Sequence, residues 1–257
     1  MITMEPKLRE LFDFLKNNRE YNKKLQENYY KSIIMPNDNV VDKVISLIYT
    51  IANTQSQPRI DLLAPFYKKI LEKKNELETF KGLITLIRQK EETPLNYNAL
   101  FNSLKDQPGL GPKTSALFTK TIFHLHNNQY SQELKIWDDA PNEIHVADEL
   151  YLPVDIVITN IFNQLDKEIK WDFNRVNKKI KEIYKGAEIE IWDDLWFWGF
   201  ITQNGSGNKR TFEWNENKYW TLKDSDKDPV AINKINEKAN EFLDIIDMVP
   251  VNKTDLK

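Results

Sequence analysis

Lys113 and Asp155, 42 positions apart, pair an amine that could act as a nucleophile with a carboxylate that could stabilise a cation or move protons. A lysine amine is a nucleophile only when it is unprotonated, through desolvation or a suitable neighbour. Lys113 belongs to the segment Gln107-Pro-Gly-Leu-Gly-Pro-Lys-Thr-Ser-Ala116, which places two of the chain's seven glycines in one tight turn. Bare backbone at Gly109 and Gly111 can approach a phosphate closely, and the N–H groups that open the following helix point outward to receive it. Lys113 sits where its ammonium faces the same anion, or something more reactive. Asp155 sits in Leu152-Pro-Val-Asp155-Ile-Val-Ile, at the start of an apolar helix. A first-turn carboxylate gains about 0.3–1 kcal/mol from the helix dipole, which is the purely structural reading. The chemical reading is a carboxylate in a dry cleft shared with Lys113. A carboxylate beside a lysine favours the ammonium form. In that reading Asp155 therefore acts on the substrate, stabilising a developing cation or moving protons.

These residues need rigid elements around them, and the pattern supplies helices. Tyr97, Leu100, Phe101 and Leu104 recur at helical spacing before the glycine turn, and Leu117, Phe118, Ile122 and Leu125 after it. Helix, turn and helix are thus expected over about 96–127, with Pro112 at the first helical position. Stripes at Leu8, Leu11, Phe12, Leu15 and at Val41, Val44, Ile45, Ile48, Ile51 mark two earlier helices. Others are expected near 62–75, 76–89, 153–165, 172–185, 188–202 and 229–247, with Gly186 ending the 172–185 helix and Asp228 capping the last. The segment 152–165 carries Asp155. Alternating aromatics around Asn215-Glu-Asn217 predict a small β-hairpin at 209–222. Residues 128–150 read as a long connection with one short helix. The expected fold is mainly α: one globular unit over 1–257 made of two helical lobes, with the small C-terminal β-hairpin.

Composition narrows the partners. Seven Trp, ten Tyr and thirteen Phe in 257 residues indicate a folded core. No apolar run reaches the roughly 20 residues of a membrane span, and the first residues lack the pattern of a signal peptide. Absence of cysteine excludes disulfides and cysteine-held zinc or iron–sulfur clusters, and fits a reducing cytoplasm, nucleoid-associated if the source is prokaryotic. Three histidines leave little room for a metal site, so neither metal nor cofactor is expected. The net charge of −3 counts against nucleic-acid binding in bulk, although local potential governs it. Basic residues do gather at Lys178, Lys181 and Lys185, where a solvated helix face is the simpler explanation.

The pairing of Pro-Gly-Leu-Gly-Pro-Lys-Thr with Pro-Val-Asp resembles the helix-hairpin-helix DNA glycosylase superfamily, the group containing endonuclease III and the 8-oxoguanine glycosylases. The resemblance covers about residues 40–165. The longer Lys-to-Asp connection and the missing cluster cysteines resemble the archaeal-type 8-oxoguanine branch. The resemblance implies a base-excision repair enzyme, a DNA N-glycosylase with AP lyase activity that acts on damaged double-stranded DNA, as a monomer and without a cofactor. It implies that Lys113 is the nucleophile and Asp155 the catalytic carboxylate. Gly109, Leu110 and Gly111 would hold a DNA phosphate, and Gln55, in Ile51-Ala-Asn-Thr-Gln55, would fill the space left by the extruded base.

The aromatic run Ile191-Trp-Asp-Asp-Leu-Trp-Phe-Trp-Gly-Phe-Ile201 offers Trp196 or Trp198 as a stacking surface for that base, while helical spacing favours ordinary packing for most of these rings. Asp193 or Asp194 is a candidate for a base edge, and His145 is near Asp148 and Asp155 in sequence. His124 and His126 point to different helix faces and make no ligand pair. Two alternatives stay open: a monofunctional glycosylase of other specificity, with Lys113 as a phosphate contact, and a non-catalytic DNA-binding helix-hairpin-helix protein.

Overall fold

The computed structural model describes residues 4–55, 57–89, 94–207, 209–223 and 227–247. Among the described residues the protein is mainly helical with one two-stranded antiparallel sheet, and the chain divides into two compact units. The first comprises Met1–Leu25, Val154–Ile183 and Ile191–Lys257; the second comprises Gln26–Pro153 and Tyr184–Glu190. Among the described residues no helix is long and apolar enough to cross a membrane.

In order, the helices are α1 (Glu5–Asn17), α2 (Arg19–Ile34), α3 (Val40–Ala52), α4 (Ile60–Glu72), α5 (Phe80–Ile87), α6 (Tyr97–Lys105), α7 (Pro112–His126), α8 (Ile156–Leu165), α9 (Phe173–Lys181), α10 (Glu188–Ile191) and α11 (Leu195–Ile201). Strands β1 (Gln203–Ser206) and β2 (Lys209–Phe212) follow, then α12 (Glu216–Trp220) and α13 (Ile232–Asp247).

The first unit packs α1 against α13 and the aromatic segment at 192–201. Leu8, Leu11, Phe14 and Leu15 are buried on one face of α1. Phe14 meets Trp198 edge-on at 5.1 Å and Phe242 at 5.8 Å. In the second unit α7 is the central helix, buried almost continuously from Thr114 to His126. Its Phe123 meets Tyr97 of α6 edge-on at 5.4 Å, and Tyr97 meets Phe80 of α5 at the same distance. A helix enclosed all round needs apolar or internally bonded side chains on every face, which explains the low amphipathicity of this stretch.

Several boundaries differ from expectation for local reasons. The predicted hairpin at 209–222 lies instead at 203–212, with Gln203 opposite Phe212 and Ser206 opposite Lys209. The Asn215 side chain accepts from the Lys218 N–H and starts a helix, so Tyr219 and Trp220 are helical rather than strand residues. The α8 helix begins at Ile156, after Pro153, because Asp155 is its N-cap and not a first-turn residue. The helix expected at 76–89 is split by Thr79, whose hydroxyl accepts from Gly82 N–H and caps α5. The α9 helix ends at Lys181, before Gly186, so Lys185 does not continue its basic face.

The 128–150 connection contains one short 3₁₀ turn, Gln132–Leu134, and is pinned along its length. Asp139 accepts the Phe80 and Lys81 N–H groups at 2.8 and 3.0 Å, and Asp148 accepts those of Tyr97 and Asn98 at 3.0 and 2.7 Å. Both carboxylates thereby satisfy orphan donors at helix starts and oppose the positive dipole ends. The Trp137 indole N–H donates to Leu77 O at 2.8 Å. This connection is a strut that fixes the starts of α5 and α6.

Candidate functional site

Within the second unit the glycine turn joins α6 to α7 as the sequence predicts. It is held from below by Gln107, whose amide donates to Ile87 O at 2.8 Å and to Ser103 O at 2.9 Å. Gly109 adopts φ +85°, and a Cβ there would stand 2.8 Å from Leu63 Cγ. Only glycine combines that backbone with that contact at low cost. Gly111 is the N-cap of α7 and supplies no side-chain cap; a Cβ there would meet nothing within 4 Å. The outer surface of the turn is therefore open at the point where the helix N–H groups begin.

Leu110 departs from the expectation of a phosphate contact. Its N–H donates to Gln107 O at 3.1 Å, and its side chain is buried beside Ile51, Phe66 and Phe118. A donor already bonded inside the turn has nothing to offer an anion. Leu110 plugs the turn into the core, leaving Gly109 and Gly111 at its surface.

Lys113 stands one residue into α7, half-exposed, and its Nζ donates to the Thr54 hydroxyl at 3.2 Å. Gln55 reaches the same turn, its amide nitrogen 3.4 Å from Gly109 O. The loop after α3 thus brings Thr54 and Gln55 against the turn and Lys113. Three residues named from sequence, Gln55, Gly109 and Lys113, share one surface of this unit.

Asp155 belongs to the first unit. Its Oδ1 accepts the Ile158 N–H at 3.1 Å, and its Oδ2 accepts the Trp196 indole N–H at 3.0 Å. Such a carboxylate is fixed in orientation at a helix N-terminus, with one lone pair left on each oxygen. Close approach of α11 to α8 makes the second bond possible. Gly199 lies where a Cβ would be 2.6 Å from Ile161 Cδ1 and 2.7 Å from Val157 Cγ1. Trp196 is 38% exposed and lies flat against Phe200 at 5.1 Å, with 9° between the rings. It presents an aromatic surface beside Asp155. Trp198 does not: it is fully buried against Phe14, Tyr21 and Phe197, so its expected base-pocket role gives way to core packing.

Other candidates are engaged elsewhere. Asp194 is buried and accepts from Asn22 at 2.6 Å, with Arg19 Nε 3.4 Å from its other oxygen. His145 is exposed, and Asp148, its sequence neighbour, is committed to the start of α6. Buried His124 bridges the Tyr30 hydroxyl and Glu190, each at 2.8 Å. His126 Nδ1 meets Ile122 O at 2.7 Å, while its Nε2 faces the Ile136 and Trp137 N–H groups at 3.3 and 3.0 Å. Those partners assign the proton to Nδ1. Burial lowers the His126 pKa below its ordinary value, and Lys135 acts in the same direction.

Sequence reasoning passed over Gln203, Arg210 and Lys218. Gln203 is fully buried and donates from Nε2 to Val157 O at 2.9 Å, in the first turn of α8. Arg210 donates to Gln203 Oε1 at 3.3 Å and to Gly207 O at 3.2 Å, and Lys218 Nζ donates to the Gln203 carbonyl. A related signal was legible at Asn160, a polar residue inside the apolar run of α8, which donates to Gly207 O at 3.2 Å and ties the β-turn to that helix. Comparison of the chain with protein-family models, curated proteins and solved structures found no match.

Proposed function

We propose that the protein is a DNA N-glycosylase with AP lyase activity that removes an oxidised purine, 8-oxoguanine being the first substrate to test. The observation that carries this reading is the meeting of Gln55, Gly109 and Lys113 on the helix–turn–helix surface of the second unit. An open glycine turn at a helix N-terminus suits a phosphodiester, held for position and not for sequence. A lysine beside it is within the same stretch of backbone as the adjoining sugar.

In this reading the target nucleotide leaves the base stack before chemistry. The neutral Lys113 amine forms a bond to C1′ as the glycosidic bond breaks, and the base departs with the electron pair and takes up a proton. One proton of the attached nitrogen passes to O4′ as the C1′–O4′ bond opens, giving an iminium and a free hydroxyl. Loss of a C2′ proton then expels the 3′ phosphate by β-elimination. The resemblance gives Asp155 the part of the carboxylate that stabilises a cationic sugar during bond cleavage. Its two existing hydrogen bonds favour this electrostatic role over that of a proton carrier.

The test is borohydride trapping on a duplex containing 8-oxoguanine. A covalent protein–DNA adduct is expected with the natural chain and not with Lys113→Gln. Base release without an adduct would reduce Lys113 to a phosphate contact. No base release and no DNA binding would overturn the reading.

A further inference from the structure

Arg210 and Lys218 form a cationic pair with an unusual set of partners. Both donate to neutral oxygens: Gly207 O, Gln203 Oε1 and the Gln203 carbonyl. Among the described residues, neither has a carboxylate within ion-pair distance. The nearby Glu213 is occupied by Asn204, and Glu216 by the Trp220 indole. Lys218 also lies 5.2 Å from the centre of the Phe200 ring. Burial and the neighbouring Arg210 charge both lower its pKa, burial more strongly. Two like charges held together at partly desolvated positions are unfavourable unless an anion joins them.

Their location is equally specific. Gln203 is fully buried and locked by its bond to Val157 O, so its Oε1 is presented to Arg210 by a rigid support. Val157 is two residues beyond Asp155 in the chain. Phe200, under Lys218, is the ring against which Trp196 stacks, and Trp196 is bonded to Asp155. Cations, aromatic pair and carboxylate are therefore linked through direct contacts within the first unit.

We propose that Arg210 and Lys218 bind one phosphate of a DNA strand, the phosphate adjoining the nucleotide on which Asp155 acts. The proposal rests on the glycosylase reading above and adds to it a backbone contact separate from the glycine turn. Such a contact holds the strand on the Asp155 side, where a carboxylate alone would repel it.

The test measures binding of the full chain to a duplex carrying a tetrahydrofuran abasic analogue, across a range of salt. Arg210→Gln and Lys218→Gln are each expected to weaken binding about tenfold. The charge pair serves one phosphate, so either variant lowers the slope of log affinity against log salt by about 0.9, and the double variant lowers it little further. Lys218→Arg retains the slope. A second measurement leaves the protein intact, replacing single phosphates around the abasic site by neutral methylphosphonates. One position should cost the natural chain about tenfold and cost the Gln variants nothing more.

Unchanged slopes and no such position, with the natural chain still binding and cleaving, would overturn this site alone. Failure of the natural chain to bind DNA would overturn the glycosylase reading with it. Retention of inorganic phosphate by the natural chain and not by the Gln variants, without DNA binding, would assign the pair to a free phosphate and overturn the DNA contact.

Discussion

The surroundings of Lys113 and Asp155 differ in kind. Lys113 ends a flexible stem, half-exposed, and meets a threonine hydroxyl at 3.2 Å. Asp155 has a short side chain gripped at both oxygens, by its own helix and by an indole that a glycine contact brings within reach. The contrast matches two roles in the proposed reaction. A nucleophile travels with the carbon it attacks and needs freedom, whereas a charge that stabilises a passing cation works best when it cannot reorient. Amine and carboxylate are thus set by opposite structural means.

The contrast can be tested first at Asp155. Asn caps helices as well as Asp does, so Asp155→Asn should keep the α8 N-cap through its single oxygen, give up the Trp196 bond, and melt close to the natural chain. Base release should nevertheless fall about 10²–10³-fold, measured by single-turnover excision. A loss of less than tenfold would remove the electrostatic role.

Next comes the turn. Gly109→Ala places a Cβ against Leu63 at a positive φ and should cost about 2 kcal/mol of unfolding free energy in urea denaturation. Gly111→Ala meets open space and should cost about 0.5 kcal/mol, from its weaker N-cap. Equal costs would mean that the two glycines do not have separate structural and surface roles.

Trp196→Phe keeps a ring on Phe200 and deletes the N–H that orients Asp155. Base release should fall about tenfold with little change in substrate binding, separating orientation from stacking. Equal loss in Asp155→Asn and in the double variant would show that Trp196 acts through the carboxylate.

The smallest effect belongs to a region without a proposed chemical role. His126 has a depressed pKa in the folded chain, so the unfolded chain binds its proton more readily. Its contribution is fully present above the unfolded value, about 6.5. It is lost as pH falls from there towards the folded value, with a slope of up to about 1.4 kcal/mol per pH unit. Unfolding free energies between pH 7 and 5 should show this slope, and His126→Gln should flatten it.

The hairpin of helices was legible because its signals are local. Glycines, a proline and two apolar stripes fall within thirty residues, and Pro112 marks the start of α7 to the residue. Lys113 and Asp155 stand out as candidates for the same reason, each belonging to a short local motif. Trp196 and Trp198 were not separable, because two residues along a helix point about 200° apart and the sequence does not say which face is covered. Arg210 and Lys218 left no signal, since their common partner Gln203 is anchored to Val157 O of α8, 46 residues earlier. The β-hairpin was misplaced because alternating aromatics imitate a strand, while one Asn cap turns the same residues into a helix. Residues 128–150 looked like a free connection because the carboxylates that pin them cap helices up to 59 positions away.

The division of the chain also bears on its synthesis. The second unit is nearly continuous, requiring only Tyr184–Glu190 beyond position 153. The first unit is assembled from three stretches, and α1 finds its partners Trp198 and Phe242 only at the far end of the chain. As the ribosome works towards the C-terminus, α1 is made well before the partners Trp198 and Phe242. On its apolar face Phe14 is made 184 residues before Trp198 and 228 before Phe242 (198 − 14 and 242 − 14). That interval is when a nascent chain of this design is most open to chaperones and to aggregation.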